Sequence, residues 1–317
     1  MSQTAHAAGR TPRRALLGAA ATASLIALAA CGSSSDPLAS TSTSPSPSAS
    51  GSTKAPVVVG GANFSESTLL AEIYAGALRA KGIEASTKPN IGSREIYLKG
   101  LADGSLQVFP EYTGALAKFY DKAYEGTDPE EVYAKVKAVL PANLTVLAKS
   151  SAEDNDAMVV TKATAQKYSL KSIADLASVA GQLTLTAPPE FKTRPQGIPG
   201  LTSTYGVTFG TFVPLTGQGI VQALTNGQAQ VANIFTTSPV IAAQDLVVLE
   251  DTKKLFGSQN IVPLVAKDRA EELRPVLDAV SAALTTPVLV DLLRQTDIDK
   301  KFPKDVAAAF LAANGLG

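Results

Sequence analysis

The chain has 317 residues, with 28 Lys plus Arg against 28 Asp plus Glu, 45% hydrophobic residues, one Cys, one His and no Trp. Arg10, Arg13, Arg14 and the only His, His6, all precede Ala30 in a stretch without acids, so the chain beyond residue 30 carries 25 basic against 28 acidic side chains and no imidazole. This excludes a Ser-His-Asp triad, a His-ligated metal, a disulfide or Cys-rich zinc site and a basic nucleic-acid footprint, and no metal, cofactor or nucleic-acid partner is expected.

The first 30 residues read as a secretory leader. A basic stretch ends at Arg13-Arg14, an apolar run follows from Ala15 to Ala30, and Leu28-Ala29-Ala30-Cys31 forms a lipobox. About 16 apolar residues fall short of the ~20 needed to span a bilayer, so cleavage with lipid attachment at Cys31 is expected rather than a membrane helix. The twin arginines leave both the Tat and the Sec export routes open. Gly32 to Lys54 holds 10 Ser among 23 residues, with Pro37, Pro45 and Pro47, a composition that cannot bury a core. As a coil it would span roughly 25 to 30 Å. The expected location is therefore the outer face of the cytoplasmic membrane, with the globular body on a tether covering residues 31–56.

From Val57 the pattern alternates between strands and helices. Val57 to Gly60 is an apolar strand. Ser65 is placed to cap a helix whose Leu69, Leu70, Ile73, Ala77 and Leu78 share one face and which ends near Gly82. Ile83 to Lys88 is a second strand, Ser93 caps a helix through Ile96, Leu98 and Leu101, and Leu106 to Phe109 is a third strand. Asp128-Pro129 opens another helix, with Pro where its missing N–H is harmless. Strands are then expected at Met158–Thr161, Leu183–Thr186, Val231–Phe235, Leu246–Leu249 and Val262–Val265, and helices at Asp268–Leu284 and Pro303–Asn314. Gly217-Gln218-Gly219 lacks the third Gly of a dinucleotide fingerprint and reads as a helix entry.

Repeated βα units predict mostly parallel sheets covered by helices, with ligands beyond the strand C-termini. The residues there are Gly60-Gly61-Ala62-Asn63-Phe64, Pro110-Glu111-Tyr112-Thr113-Gly114, Pro188-Pro189-Glu190-Phe191 and Phe235-Thr236-Thr237-Ser238. Each combines small, aromatic and polar residues, as a small-molecule pocket requires. Tyr112, in a Gly- and Pro-bounded loop, suits a ligand contact. Phe235 suits core packing nearly as well, Arg194 can simply pair with Glu190, and Asp154 and Asp156 can belong to a solvated acidic loop. Tyr97, Tyr120, Tyr124 and Tyr133 read as half-buried helix residues.

These blocks, with Arg194 and Asn233-Ile234-Phe235-Thr236-Thr237, resemble the substrate-binding proteins of glycine betaine/choline (osmoprotectant) ABC importers over essentially all of the chain from Val57, the Glu-Tyr-Thr-Gly block most specifically. The resemblance implies an α/β, two-lobed periplasmic-binding-protein-like II fold (a Venus flytrap) with two crossover strands. Lobe one is then residues 57–158 plus 260–317, and lobe two residues 159–259. It implies closure on the ligand and delivery to a permease with an ATPase subunit, and a monomer is expected. The residues expected at the ligand are Asn63, Phe64, Tyr112, Thr113, Asp154, Asp156, Arg194, Phe235 and Thr236; the resemblance places Tyr112 and Phe235 in an aromatic cage, Arg194 as a carboxylate clamp and Asp154 as a polar cleft residue, while Phe64 suits the cleft edge and Asp156 can attract a cation by charge. Ala62, Ala115, Asp156 and Val221 depart from the family pattern, which keeps a different solute, such as an amino acid or an aromatic compound, in play. An extracytoplasmic enzyme or a sensory lipoprotein ranks lower, since no Ser-x-x-Lys motif stands in a convincing context.

Overall fold

The computed structural model describes residues 55–317; the leader, Cys31 and nearly all of the tether lie outside the described residues. Ten strands form two five-stranded sheets. Those of the first are β1 (Val57–Gly60), β2 (Ala85–Lys88), β3 (Val108–Tyr112), β4 (Leu144–Val146) and β10 (Ile261–Ala266), in the order β2-β1-β3-β10-β4. The second holds β5 (Asp156–Val160), β6 (Thr184–Ala187), β7 (Thr211–Pro214), β8 (Val231–Phe235) and β9 (Val247–Val248), in the order β7-β6-β8-β5-β9. β3 and β10 are buried along nearly their whole length, and β10 is apolar throughout.

The expectation of mostly parallel sheets needs correction. Four parallel pairings stand beside four antiparallel ones, and every antiparallel pairing involves β5 or β10. These are the strands by which the chain enters one lobe from the other. The two crossing segments run antiparallel and bond to each other, through Asp154 N to Gln259 O at 3.1 Å and Ile261 N to Ala152 O at 3.0 Å. Asp156–Met158, expected in the first lobe, belong to the second sheet.

Pairing with β10 also moves the third strand. Pro110, Glu111 and Tyr112, expected in a loop, lie opposite Pro263, Val262 and Ile261. Pro110 facing Pro263 puts no donor on either strand, which an antiparallel ladder accommodates at its non-hydrogen-bonded positions.

The helix Ser65–Ala80 buries Leu69, Leu70, Ile73, Ala77 and Leu78 against the first sheet, as their spacing predicts. Ser65 does not cap it. Phe64 occupies the N-cap position, and the Ser65 hydroxyl instead donates to Asp297 Oδ2 at 2.8 Å. Ser93 does hold the N-cap position of the helix Arg94–Ala102, but its hydroxyl bonds Glu95, and Ile96 on that helix is 53% exposed. A helix the sequence pattern did not reveal, Thr286–Asp297, follows a Thr285 cap and brings Leu293 and Asp297 to the wall of the cleft between the sheets.

Asp128 caps the helix Pro129–Val139 by accepting from Glu130 N at 2.9 Å and Glu131 N at 3.0 Å. Replacing its carboxylate by a methyl group strands two amides, so Asp128→Ala is expected to destabilise the fold by about 1 kcal/mol, read as a lower urea midpoint at unchanged slope.

Candidate ligand-binding cleft

The loops and strand ends that face each other across the two sheets enclose a cleft lined by residues of both. The block at the end of β3 shows why particular residue types are needed there. Tyr112 is the last residue of the strand, and a helix, Thr113–Tyr120, starts immediately after it. A Cβ on Gly114 would come within 2.4 Å of the Ser258 carbonyl oxygen, so the crossing segment packs directly on its backbone. At the opposite lip Gly217 (φ +53°) admits the chain to the helix Gln218–Thr225, the helix entry read from its sequence.

Of the nine residues expected at the ligand, Asn63, Phe64, Tyr112, Asp154, Asp156, Arg194 and Phe235 line this cleft. Thr113 and Thr236 do not. Each directly follows a residue that faces the cleft, and both are turned toward the crossing segments. The Thr113 hydroxyl accepts from Asn260 N at 3.1 Å, and the Thr236 hydroxyl accepts from Asn155 N at 2.9 Å. The four departures, Ala62, Ala115, Asp156 and Val221, all line the wall.

Three rings converge across the cleft. Phe64 lies 6.4 Å from Tyr112 and 5.4 Å from Phe235, centroid to centroid, so the first lobe's aromatics meet the second's through Phe64. Tyr97 is not the half-buried helix residue its spacing suggests. It is part of the cleft wall, stacks on Phe109 at 3.6 Å and donates to Glu111 Oε1 at 2.5 Å. Glu111 is wholly buried and also takes both nitrogens of the Arg94 fork, at 2.7 and 2.8 Å.

A second buried network ties the lobes together. Glu66 accepts from the Tyr112 hydroxyl at 2.5 Å and from Thr237 Oγ1, in the second lobe, at 2.6 Å. Asp154, on the crossing segment, accepts from Thr237 N at 3.1 Å and is buried, not part of a solvated loop. Its other oxygen is enclosed without a partner. Burial, then the charge of Glu66, pushes the Asp154 carboxyl well above the usual carboxylate range. Burial raises Glu66 as well, against the pull of its bonds from Thr237 and Tyr112. Asp156 is raised by burial and partly held down by Asn233 and Arg194. Arg194 pairs loosely with Glu190 (3.7 Å) and, across the cleft, with Glu95 (3.6 Å), while its Nε is buried without a partner.

Glu66, Thr237, Arg94 and Asp297 were missed by sequence reasoning. Glu66 looks like an ordinary acid in the first turn of a helix, and its partner Thr237 lies 171 residues away. The Thr285 cap with Pro287 two residues on was a local signal for the helix that carries Asp297.

A family profile described as "Substrate binding domain of ABC-type glycine betaine transport system" matches residues 55–313. The glycine-betaine-binding protein of Pseudomonas aeruginosa is 28% identical over 273 residues, covering 81% of this chain and 88% of that protein. The glycine betaine-binding protein YehZ of Escherichia coli is 26% identical over 280 residues, covering 82% and 91%. A solved structure described as a glycine betaine/carnitine/choline ABC transporter aligns with a TM-score of 0.65 at 25% identity, over 82% of this chain and 99% of that one. With its two α/β lobes and a profile match across nearly all the described residues, the chain belongs to the family of substrate-binding domains of ABC-type glycine betaine transport systems.

Proposed function

We propose that this chain is a lipid-anchored, extracytoplasmic solute-binding protein that takes a quaternary-ammonium osmoprotectant, such as glycine betaine or choline, into the cleft between its lobes and passes it to the permease of an ABC importer. The observation that carries this reading is the meeting of Phe64, Tyr112 and Phe235 beside buried Glu66 and Asp154. A tetraalkylammonium has no N–H to donate. What holds it is aromatic faces, each worth about 0.5 to 2 kcal/mol, with carboxylates near enough to balance its charge.

Closure follows from the same residues. Phe64 against Phe235, Glu66 against Thr237 and Arg194 against Glu95 all join the first lobe to the second. A solute seated among these groups adds contacts to both lobes at once, so its binding energy favours the closed form that a permease can distinguish from the open one. Cys31 and the tether would keep the protein at the membrane surface where the permease resides.

Calorimetry of the purified protein against glycine betaine, choline, carnitine, proline betaine, amino acids and aromatic solutes tests the reading. Heat or thermal stabilisation by at least one quaternary amine is expected, and silence from all of them at millimolar concentration rejects it. Tyr112→Ala is expected to weaken binding by about 1 to 2 kcal/mol, roughly tenfold, whereas Tyr112→Phe keeps the ring face and most of the affinity. An unchanged affinity in Tyr112→Ala removes that ring from the site.

A further inference from the structure

Asp156 stands opposite Phe235 in the β5–β8 register, and Asn233 is two residues before Phe235, so all three side chains share one face of the second sheet. All three line the cleft, where Phe235 packs on Phe64. The Asn233 amide donates to Asp156 Oδ1 at 3.1 Å. Among the described residues no donor reaches Oδ2. That oxygen is not among the fully enclosed unpaired atoms and belongs to a residue lining the cleft. A cation on the Phe235 face therefore has a half-satisfied carboxylate at its side.

The charges of the wall point the same way. Glu66, Asp154, Asp156, Glu190 and Asp297 line the cleft against two guanidiniums, Arg94 and Arg194. Arg94 is fully engaged by Glu111, and Arg194, its Nε unpartnered, lies between Glu95 and Glu190 at 3.6 and 3.7 Å, so its charge is offset by two carboxylates. Even with one proton shared between Glu66 and Asp154 the wall is acidic. A zwitterion brings a carboxylate into this field, where like charge opposes it. A ligand that is only cationic does not, and a hydroxyl or N–H on it can fill the empty acceptor of Asp156.

We propose that Asp156 determines specificity in this cleft, selecting a net-cationic ammonium that carries a hydrogen-bond donor over a carboxylate-bearing zwitterion. The inference rests on the quaternary-ammonium reading above and narrows it. An unmade hydrogen bond to a buried charged group is costly, because the group has left water without finding a replacement. The donor is thus what separates two ligands with the same trimethylammonium head.

The test is calorimetric titration of the full chain, wild type and Asp156→Asn, with choline, its O-methyl ether and glycine betaine. Wild type is expected to bind choline about tenfold more tightly than the ether, which keeps the charge and loses the donor, and to favour choline over betaine by more than that. In Asp156→Asn the ratio of choline to betaine affinity is expected to fall at least about tenfold. Betaine bound as tightly as choline by wild type, or an unchanged ratio in Asp156→Asn, overturns the proposal. If Asp156→Asn does not fold, the wild-type comparison of choline with its ether decides, equal affinities counting against it. Betaine binding ahead of choline removes only this specificity, whereas the failure of every quaternary amine to bind removes the underlying reading with it.

Discussion

Glu111→Ala is expected to lower the free energy of unfolding by about 3 to 5 kcal/mol, the cost of breaking a buried ion pair from one side. The Glu111 carboxylate has no exposed surface and accepts four bonds: two from the Arg94 fork, one from the Tyr97 hydroxyl and one from Tyr112 N at 2.9 Å. Its removal leaves a guanidinium that is itself only 5% exposed without its ion-pair partner, beside a phenol and an amide without acceptors. Glu111→Gln keeps one acceptor but loses the charge, so it should fall between wild type and Glu111→Ala. Urea denaturation at unchanged slope gives the measurement. A loss under about 1 kcal/mol would mean that Arg94 finds water in the variant and that the cleft wall is looser than its hydrogen bonds imply. Because the Tyr112 backbone N–H donates to Glu111, any folded Glu111→Ala protein should also bind solute more weakly.

That carboxylate sits inside the Glu-Tyr-Thr-Gly block, the part of the sequence that best announced the fold, yet its role was not legible there. Local patterns disclosed what is locally determined. The i, i+3, i+4 spacing of Leu69, Leu70 and Ile73 marks a buried helix face, Asp128-Pro129 marks a helix start, and Val231–Phe235 is a strand with the bounds its apolar run suggests. What depends on distant partners was shifted or hidden. β3 extends to Tyr112 because β10, about 150 residues later, pairs with it. The antiparallel insertions of β5 and β10 follow from the chain passing between lobes, which no βα rhythm encodes. The cleft aromatics Phe64, Tyr112 and Phe235 could be named because they directly border the strand ends. Thr113 and Thr236 shared that address, but each next residue turns the other way and was spent on holding the crossing segments.

The crossing segments matter because motion between the lobes must pass through them, and Asp154 lies on one of them in contact with both lobes. Thr237 N reaches it from the second lobe, and the charge of Glu66 acts on it from the first. The Glu66–Thr237 bond then completes a loop that exists only while the lobes are together. On the proposed reading, opening the cleft would return two carboxyl groups to water, so release of a solute would be linked to the protonation of this pair.

Asp154→Asn is accordingly expected to stabilise the protein at pH 8 by about 2 kcal/mol and to flatten its stability against pH. With both groups ionised, the enclosed Asp154 Oδ2 has no donor and the carboxylate feels the like charge of Glu66; a proton on either relieves that repulsion. Both carboxyls are raised in the folded protein, chiefly by burial, above the values of about 3.9 and 4.3 that they take in an unfolded chain. A group raised in this way contributes stability that is fully present below its unfolded pKa. That contribution is lost as pH rises through the folded value, because the unfolded chain releases its proton first. Wild-type stability should therefore carry a component that declines from about pH 4 upward. An Asn amide carries the missing donor at every pH: its oxygen keeps the bond from Thr237 N, and its nitrogen can donate to Glu66. The variant and wild type should nearly coincide near pH 4 and separate toward pH 8 in denaturation midpoints measured across that range. Equal stability at pH 8 would mean that the pair holds both charges at no cost, and a less stable variant would mean that an ionised Asp154 is needed to hold Thr237 and the crossing segment in place.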